Sequence, residues 1–396
     1  MTRINFVAAS PLILTMLCSC GRAGTALPNE TEAIPQSLPA VSTTPGAVTT
    51  PMPASLPTPS YSVPVAFPLS DPGPYFAGNR AYSLVDESRD GREIRLTIWY
   101  PALQQLDAQG RVIPRDAAPD MSGAPYPLIL TGANSGDLLF LDHLVSHGYV
   151  MTIVHFGQAP TYRWDQDMID YPRDLLFALD QLAKSPPEGL EGIVDTDNVG
   201  VAGYSGDGSA AFAVSGARLD PEFYRSQCDR VPDLYPSIFY FWVDYACSFT
   251  EDWEAFAASV GSTITESVDG LWQPITDRRI RAVAAMATAS PWMYGERGLA
   301  EVDRPVLIIS PTEDEYDSHA MVTDTFEQIG NPDKVMISLV GQTHMSALSG
   351  EPQERIHHFT TAFFGYYLQG RDDYARYFSE DFVEQFDDLA WGVYEE

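Results

Sequence analysis

The chain reads as an α/β protein: a mostly parallel sheet entered through an antiparallel N-terminal hairpin, with helices on both faces. Three observations predict this. Short, continuously apolar runs recur from Pro127 onward, and such runs suit strands buried on both faces of a parallel sheet. Segments with helical spacing lie between them, and strand–helix alternation is the pattern of layered α/β architecture. One earlier segment, Glu93 to Tyr100, alternates strictly instead, as a half-exposed strand does.

The elements follow in order. Arg3 and the apolar run Phe6 to Leu17 precede Leu17-Cys18-Ser19-Cys20-Gly21. The run is too short to span a bilayer and suits the apolar core of a signal peptide. Its ending resembles a bacterial lipobox, with Cys20 as the lipidated first residue of the mature chain; an ordinary secretory signal cut nearby is the alternative. Either way residues 1–20 are the signal segment and the mature chain is expected to be extracytoplasmic, anchored to the membrane through its N-terminal lipid or secreted. Residues 21–70 are rich in Pro, Thr, Ala and Ser and nearly free of charge. They cannot bury a core and read as an extended tether. A folded domain, 71–396, follows.

Within it, Asp90-Gly91 is a hairpin signal joining a strand around Tyr82–Asp86 to Glu93–Tyr100. Ile94, Leu96, Ile98 and Tyr100 share the face expected to be buried. The buried strands are expected at Pro127–Thr131, Tyr149–Val154, Val199–Ala202, Ala282–Met286, Val306–Ile309 and Val335–Val340. Helices are expected at Asp137–His147, Pro172–Lys184, Ser209–Ala217, Thr323–Ile329 and Arg355–Leu368. The stretch 218–276 interrupts the alternation. It is rich in aromatics and carries Cys228 and Cys247. Its position above the carboxyl ends of the strands, where ligands bind in open α/β sheets, predicts a lid over a substrate pocket; a structural subdomain on the sheet edge is the alternative. Disulfides persist outside the cytoplasm, so Cys228 and Cys247 are expected to pair, against the alternative of two free buried thiols.

The formal charge is −31, and of the 23 basic residues only Lys184 and Lys334 are lysines. A surface this acidic repels phosphate backbones, which excludes nucleic acid as a partner.

The chemistry starts at Gly203-Tyr204-Ser205-Gly206-Asp207-Gly208, between a strand and a small-residue helix. A sharp strand–turn–helix with serine at its apex is a nucleophile elbow. The usual motif ends in glycine two residues after the serine, where Asp207 stands here. A serine hydroxyl needs a base, and the base a carboxylate to orient it. Asp314 follows the strand Val306–Ile309, and His344 follows Val335–Val340. Serine, acid and histidine thus come in the chain order of α/β-hydrolases, each just past a strand. Glu313, Glu315 and Asp317 flank Asp314 as rival acids. His319 opens a helix and is expected to be solvated or capping. His143 and His147 fall on the helix after the first buried strand. His357 and His358 are adjacent and cannot both face one ion. No cluster has metal-ligand spacing and no phosphate-binding glycine loop appears, so neither metal nor cofactor is expected. The oxyanion donors are expected to be the N–H of Gly206 and of Asn134, with Ser135 second to Asn134.

These residues resemble a family of secreted α/β-hydrolases, the predicted dienelactone hydrolases grouped with the platelet-activating-factor acetylhydrolase-like lipases. The likeness rests on Arg92–Ala102 with its Trp-Tyr-Pro ending, Pro127–Asp137, Ser146–Val150, Val154–Gly157, Asp277–Met286, Gln342–His344 and Phe363–Gly370. It spans roughly residues 75 to 375. The resemblance implies metal-free hydrolysis of carboxylic esters, short-acyl or lipid-like, through Ser205, Asp314 and His344. Two positions depart from it: Gly132-Ala133 replaces His-Gly before the oxyanion loop, and Asp207 replaces glycine. A peptidase or polyester hydrolase on the same fold, and a binding lipoprotein with weakened catalysis, are the competing expectations.

Overall fold

The computed structural model describes residues 66–394, apart from 141, 157–168, 229, 231–232, 234–246, 268 and 289. The segment to Cys20 and almost all of the tether lie outside the described residues. The tether boundary moves: Phe67 and Leu69, placed in the tether by composition, are buried. Phe67 lies within ring-contact distance of Phe359, Phe382 and Phe386.

Among the described residues nine strands form one sheet in the order β1-β2-β4-β3-β5-β6-β7-β8-β9. They are β1 (Phe76–Asp86), β2 (Arg92–Ala102), β3 (Tyr126–Gly132), β4 (Val150–His155), β5 (Val194–Tyr204), β6 (Ile280–Met286), β7 (Val306–Pro311), β8 (Lys334–Leu339) and β9 (Leu389–Trp391). Strands β3 to β8 run parallel. The β1–β2 hairpin joins β4 antiparallel, and β9 closes the far edge antiparallel. The predicted alternation is present in β2: Ile94, Leu96, Ile98 and Tyr100 are buried, Glu93 and Arg95 exposed. The parallel strands send successive residues to opposite faces. Val306 and Ile308 enter one apolar cluster, Leu307 and Ile309 the other. Both faces are covered, which is why these strands read as continuous apolar runs.

Helices α1 (Asp170–Lys184) and α2 (Gly206–Ala213) cover one face; Leu175, Leu179 and Leu182 of α1 and Ala210–Ala213 of α2 are buried there. Of the remaining helices, α3 (Pro221–Gln227) and α4 (Trp253–Val260) lie between β5 and β6, and α5 (His319–Gln328) lies between β7 and β8. Helix α6 (Gly350–Gln369) covers the opposite face with Ile356, Phe359, Phe363 and Phe364. No helix among the described residues is long and apolar enough to cross a membrane.

One expectation is corrected. The helix expected over Asp137–His147 is instead a wide turn, Gly136–Phe140, and a short helix, His143–Ser146. Leu138, on its expected apolar face, is 62% exposed, while the consecutive Leu139 and Phe140 are buried. Adjacent residues on a regular helix point about 100° apart, and widening the turn lets both reach the core. In the insertion between α2 and β6, Tyr224, Phe256, Val260 and Trp272 are buried in the same apolar cluster as the sheet. The aromatic run 235–245 lies outside the described residues. The sulfurs of Cys228 and Cys247 are 2.15 Å apart, the disulfide distance expected of them.

Candidate active site

The chain leaves β3 for β4 on one side of it, then crosses to β5 on the other. The crevice beyond the carboxyl ends of β3 and β5 is thus a topological switch point, where open α/β sheets place ligands. Ser205 stands there, one residue past the end of β5. Its backbone takes φ 58° and ψ −131°, a conformation costly for a residue with a side chain. The surroundings hold it: its N–H donates to Met286 O (2.9 Å), and its carbonyl accepts from Ser209 N–H (3.0 Å). Gly203 has no room for a Cβ, because the Asp207 backbone passes where one would stand. Gly206 opens α2, so its N–H has no acceptor within that helix.

Asp314 and His344 come together as the strand order predicts. Asp314 follows β7 and His344 follows β8, and Asp314 Oδ2 accepts from His344 Nδ1 at 2.8 Å. Both side chains are nearly buried, at 0% and 7% exposure. Burial pushes the imidazole pKa down, but the hydrogen bond and charge of Asp314, with the charges of Asp317 and Glu315, outweigh it and hold it above its ordinary value. The rival acids divide. Glu315 accepts the backbone N–H of His344 (3.0 Å), Asp317 stands 4.0 Å from His344 Nδ1, and Glu313 is exposed. Asp314, Asp317 and His344 hold three potential ligand atoms within 4.8 Å of one another, two of which the Asp314–His344 hydrogen bond already joins.

Two aromatic residues support His344 that sequence reasoning did not single out. The Tyr204 hydroxyl donates to His344 O at 2.7 Å, and its ring centroid is 5.2 Å from the imidazole. The Tyr316 ring lies 5.0 Å away on an edge contact. Tyr204 immediately precedes Ser205, so the serine turn and the histidine loop are tied through backbone and phenol. No hydrogen bond joins the Ser205 side chain to His344 among the described residues.

The loop after β3 differs most from expectation. Asp207 is 4% exposed. Its Oδ2 accepts from Ser135 N–H (2.7 Å) and from the Ser135 hydroxyl (2.9 Å). The Asn134 N–H also stabilises this carboxylate, so the second expected oxyanion donor faces Asp207. Burial raises the Asp207 pKa to about 6, against the lowering effect of the Ser135 and Asn134 donors, and the Asp137 charge adds to the rise.

His319 is half-buried rather than fully solvated. Its Nδ1 and the Ser310 hydroxyl are hydrogen-bonded at 2.9 Å, and burial lowers its pKa. His143, His147 and His357 lie apart from the site and cluster with one another: the His143 ring stacks on His357 with centroids 4.0 Å apart and lies 4.9 Å from His147.

No family model matches the chain, and no curated protein matches it.

Proposed function

We propose that this protein is a metal-independent serine hydrolase of carboxylic esters, built on an α/β-hydrolase fold. The observation that carries the proposal is the conjunction of a strained Ser205 at the carboxyl end of β5 with the buried Asp314–His344 pair at the ends of β7 and β8. A serine in a φ > 0 turn before a helix, with a carboxylate-oriented histidine past the carboxyl end of another strand of the same sheet, is an arrangement suited to acyl transfer.

In the proposed reaction His344 Nε2 takes the Ser205 proton as Oγ attacks the acyl carbon. Asp314 holds the imidazole by Nδ1 and stabilises its positive charge. The Gly206 N–H donates to the developing oxyanion. His344 then protonates the leaving alcohol, and water, activated by the same histidine, releases the acid. The 218–276 insertion would cover the acyl pocket, and the Cys20 lipid would hold the enzyme at the outer face of the membrane. The expected substrates are short-acyl or lipid-like esters.

Ser205→Ala is expected to lower kcat/KM on p-nitrophenyl acetate by about 10^4-fold or more and to abolish labelling by a fluorophosphonate. Turnover unchanged in this variant would reject the proposal. A binding lipoprotein with weakened catalysis is the second reading. It is favoured by the buried Asp207 carboxylate facing the expected oxyanion loop, and it predicts that Asp207→Gly raises activity from near zero.

A further inference from the structure

Asp207 and the Gly132-Ala133 pair are where the chain departs from the motifs it was compared with above, and in the structure Asp207 and Gly132 meet. A Cβ on Gly132 would occupy the space of the Asp207 carboxyl group. The missing side chain on β3 is therefore what admits the extra one on α2. Once admitted, the carboxylate engages the loop through Oδ2. It accepts both the N–H and the hydroxyl of Ser135. The same hydroxyl accepts the Tyr204 N–H at 2.8 Å. A serine hydroxyl has one proton to give, and here it goes to Asp207 while a lone pair takes Tyr204. Ser135 thus bridges the last residue of β5 to the second residue of α2, one position before Ser205 and two after it. Every atom of the bridge is buried, where hydrogen bonds to a carboxylate are strong and unmade ones costly.

We propose that Asp207 is a positioning residue: through Ser135 it clamps the Gly132–Gly136 loop onto the Ser205 turn and so fixes the nucleophile and the Gly206 N–H, which lie between Tyr204 and Asp207, relative to one another. It touches no reacting atom in this role. The inference rests on the ester-hydrolase reading for its catalytic consequence, but not for the clamp itself. A motif glycine would leave the loop free to drift, and a misplacement near 1 Å at such a site costs about 10^2-fold in rate.

The test uses the full-length protein with Asp207→Gly, Asp207→Asn and Ser135→Ala. Two quantities are measured: steady-state kinetics on p-nitrophenyl acetate, and amide hydrogen exchange of residues 132–136. Asp207→Gly is expected to lower kcat by about 10- to 100-fold with KM within about twofold, and to speed exchange at Asn134 and Ser135 by about tenfold or more. Asp207→Asn keeps an acceptor oxygen in the same place and is expected to restore most of kcat and of the protection. Ser135→Ala is expected to behave as Asp207→Gly does, and carries the test if that variant fails to fold. Unchanged exchange, or a kcat equal to or above wild type in Asp207→Gly or Ser135→Ala, would overturn the proposal. If the wild-type protein hydrolyses no ester, the functional reading fails, while the exchange data still decide whether the clamp exists.

Discussion

At His344 two opposing effects meet on one ring. Burial disfavours the imidazolium; three carboxylates, Asp314 foremost, favour it and prevail. A general base works only when neutral. Because the pKa is raised, kcat/KM is expected to fall as pH drops through a value above the ordinary 6.5 of histidine. Asp314→Asn removes the strongest of the favouring effects and leaves burial in place. That variant is therefore expected to shift the acid limb of the pH profile downward and to lower kcat by about 10^4-fold, the scale seen when a triad acid is neutralised. An unmoved limb would show that Asp314 does not govern the ring. Ser205 illustrates why such a site needs a rigid frame. Its φ of 58° persists only because Met286, Ser209 and the β5–α2 junction hold both ends of the residue.

Between elements, the strongest polar tie lies away from the site. Asp174 of α1 is fully buried and pairs with Arg92 at the start of β2 through contacts of 2.8–3.2 Å, and with Arg89 of the β1–β2 turn at 2.7 Å. These bonds fasten the lead-in hairpin to a helix of the parallel layer. Breaking a buried pair by removing one partner leaves uncompensated charge, at a cost of about 3–5 kcal/mol. Asp174→Ala is accordingly expected to lower the urea midpoint by that equivalent; a loss under about 1 kcal/mol would contradict this account. The hairpin itself was legible in the alternation of Glu93–Tyr100, and the parallel strands in their apolar runs. The tie was not. Arg92 and Asp174 are 82 positions apart, and although the alternation of β2 puts Arg92 on its buried face, nothing local names its partner. The edge strand β9 escaped notice for a related reason: three residues are too few to show a period.

For the whole molecule, the buried imidazoles set a pH limit on folding. His143, His147, His357 and His358 pack where α6 meets the His143–Ser146 helix and the chain leading into the domain. Leu69 N–H donates to His358 Nδ1 (3.2 Å), and His147 Nε2 donates to Asp71 O (2.9 Å). Burial, foremost, lowers all four; His143 falls to about 2 and His358 to about 3. The unfolded chain binds these protons near 6.5 and the folded one does not, so stability falls as pH drops below about 6.5, by about 1.4 kcal/mol per pH unit for each such imidazole. His143→Gln is expected to make the dependence of unfolding free energy on pH shallower by about that slope between pH 6 and 5. Parallel curves would show that His143 does not resist protonation. The surplus of carboxylates works the other way, since their neutralisation relieves self-repulsion; comparing the variant with wild type cancels that contribution.

By itself the sequence determined the layers, the buried strands and the chain order of Ser205, Asp314 and His344. Each of these is written in short-range pattern: apolar period, turn residues, a polar residue just past a strand. Only the tertiary structure decided how those loops are held. That Gly132 makes room for Asp207 and that Ser135 joins Asp207 to Tyr204 are facts about contacts across some 70 positions. Such contacts depend on which strands become neighbours and how closely their ends approach, and no local periodicity carries that information.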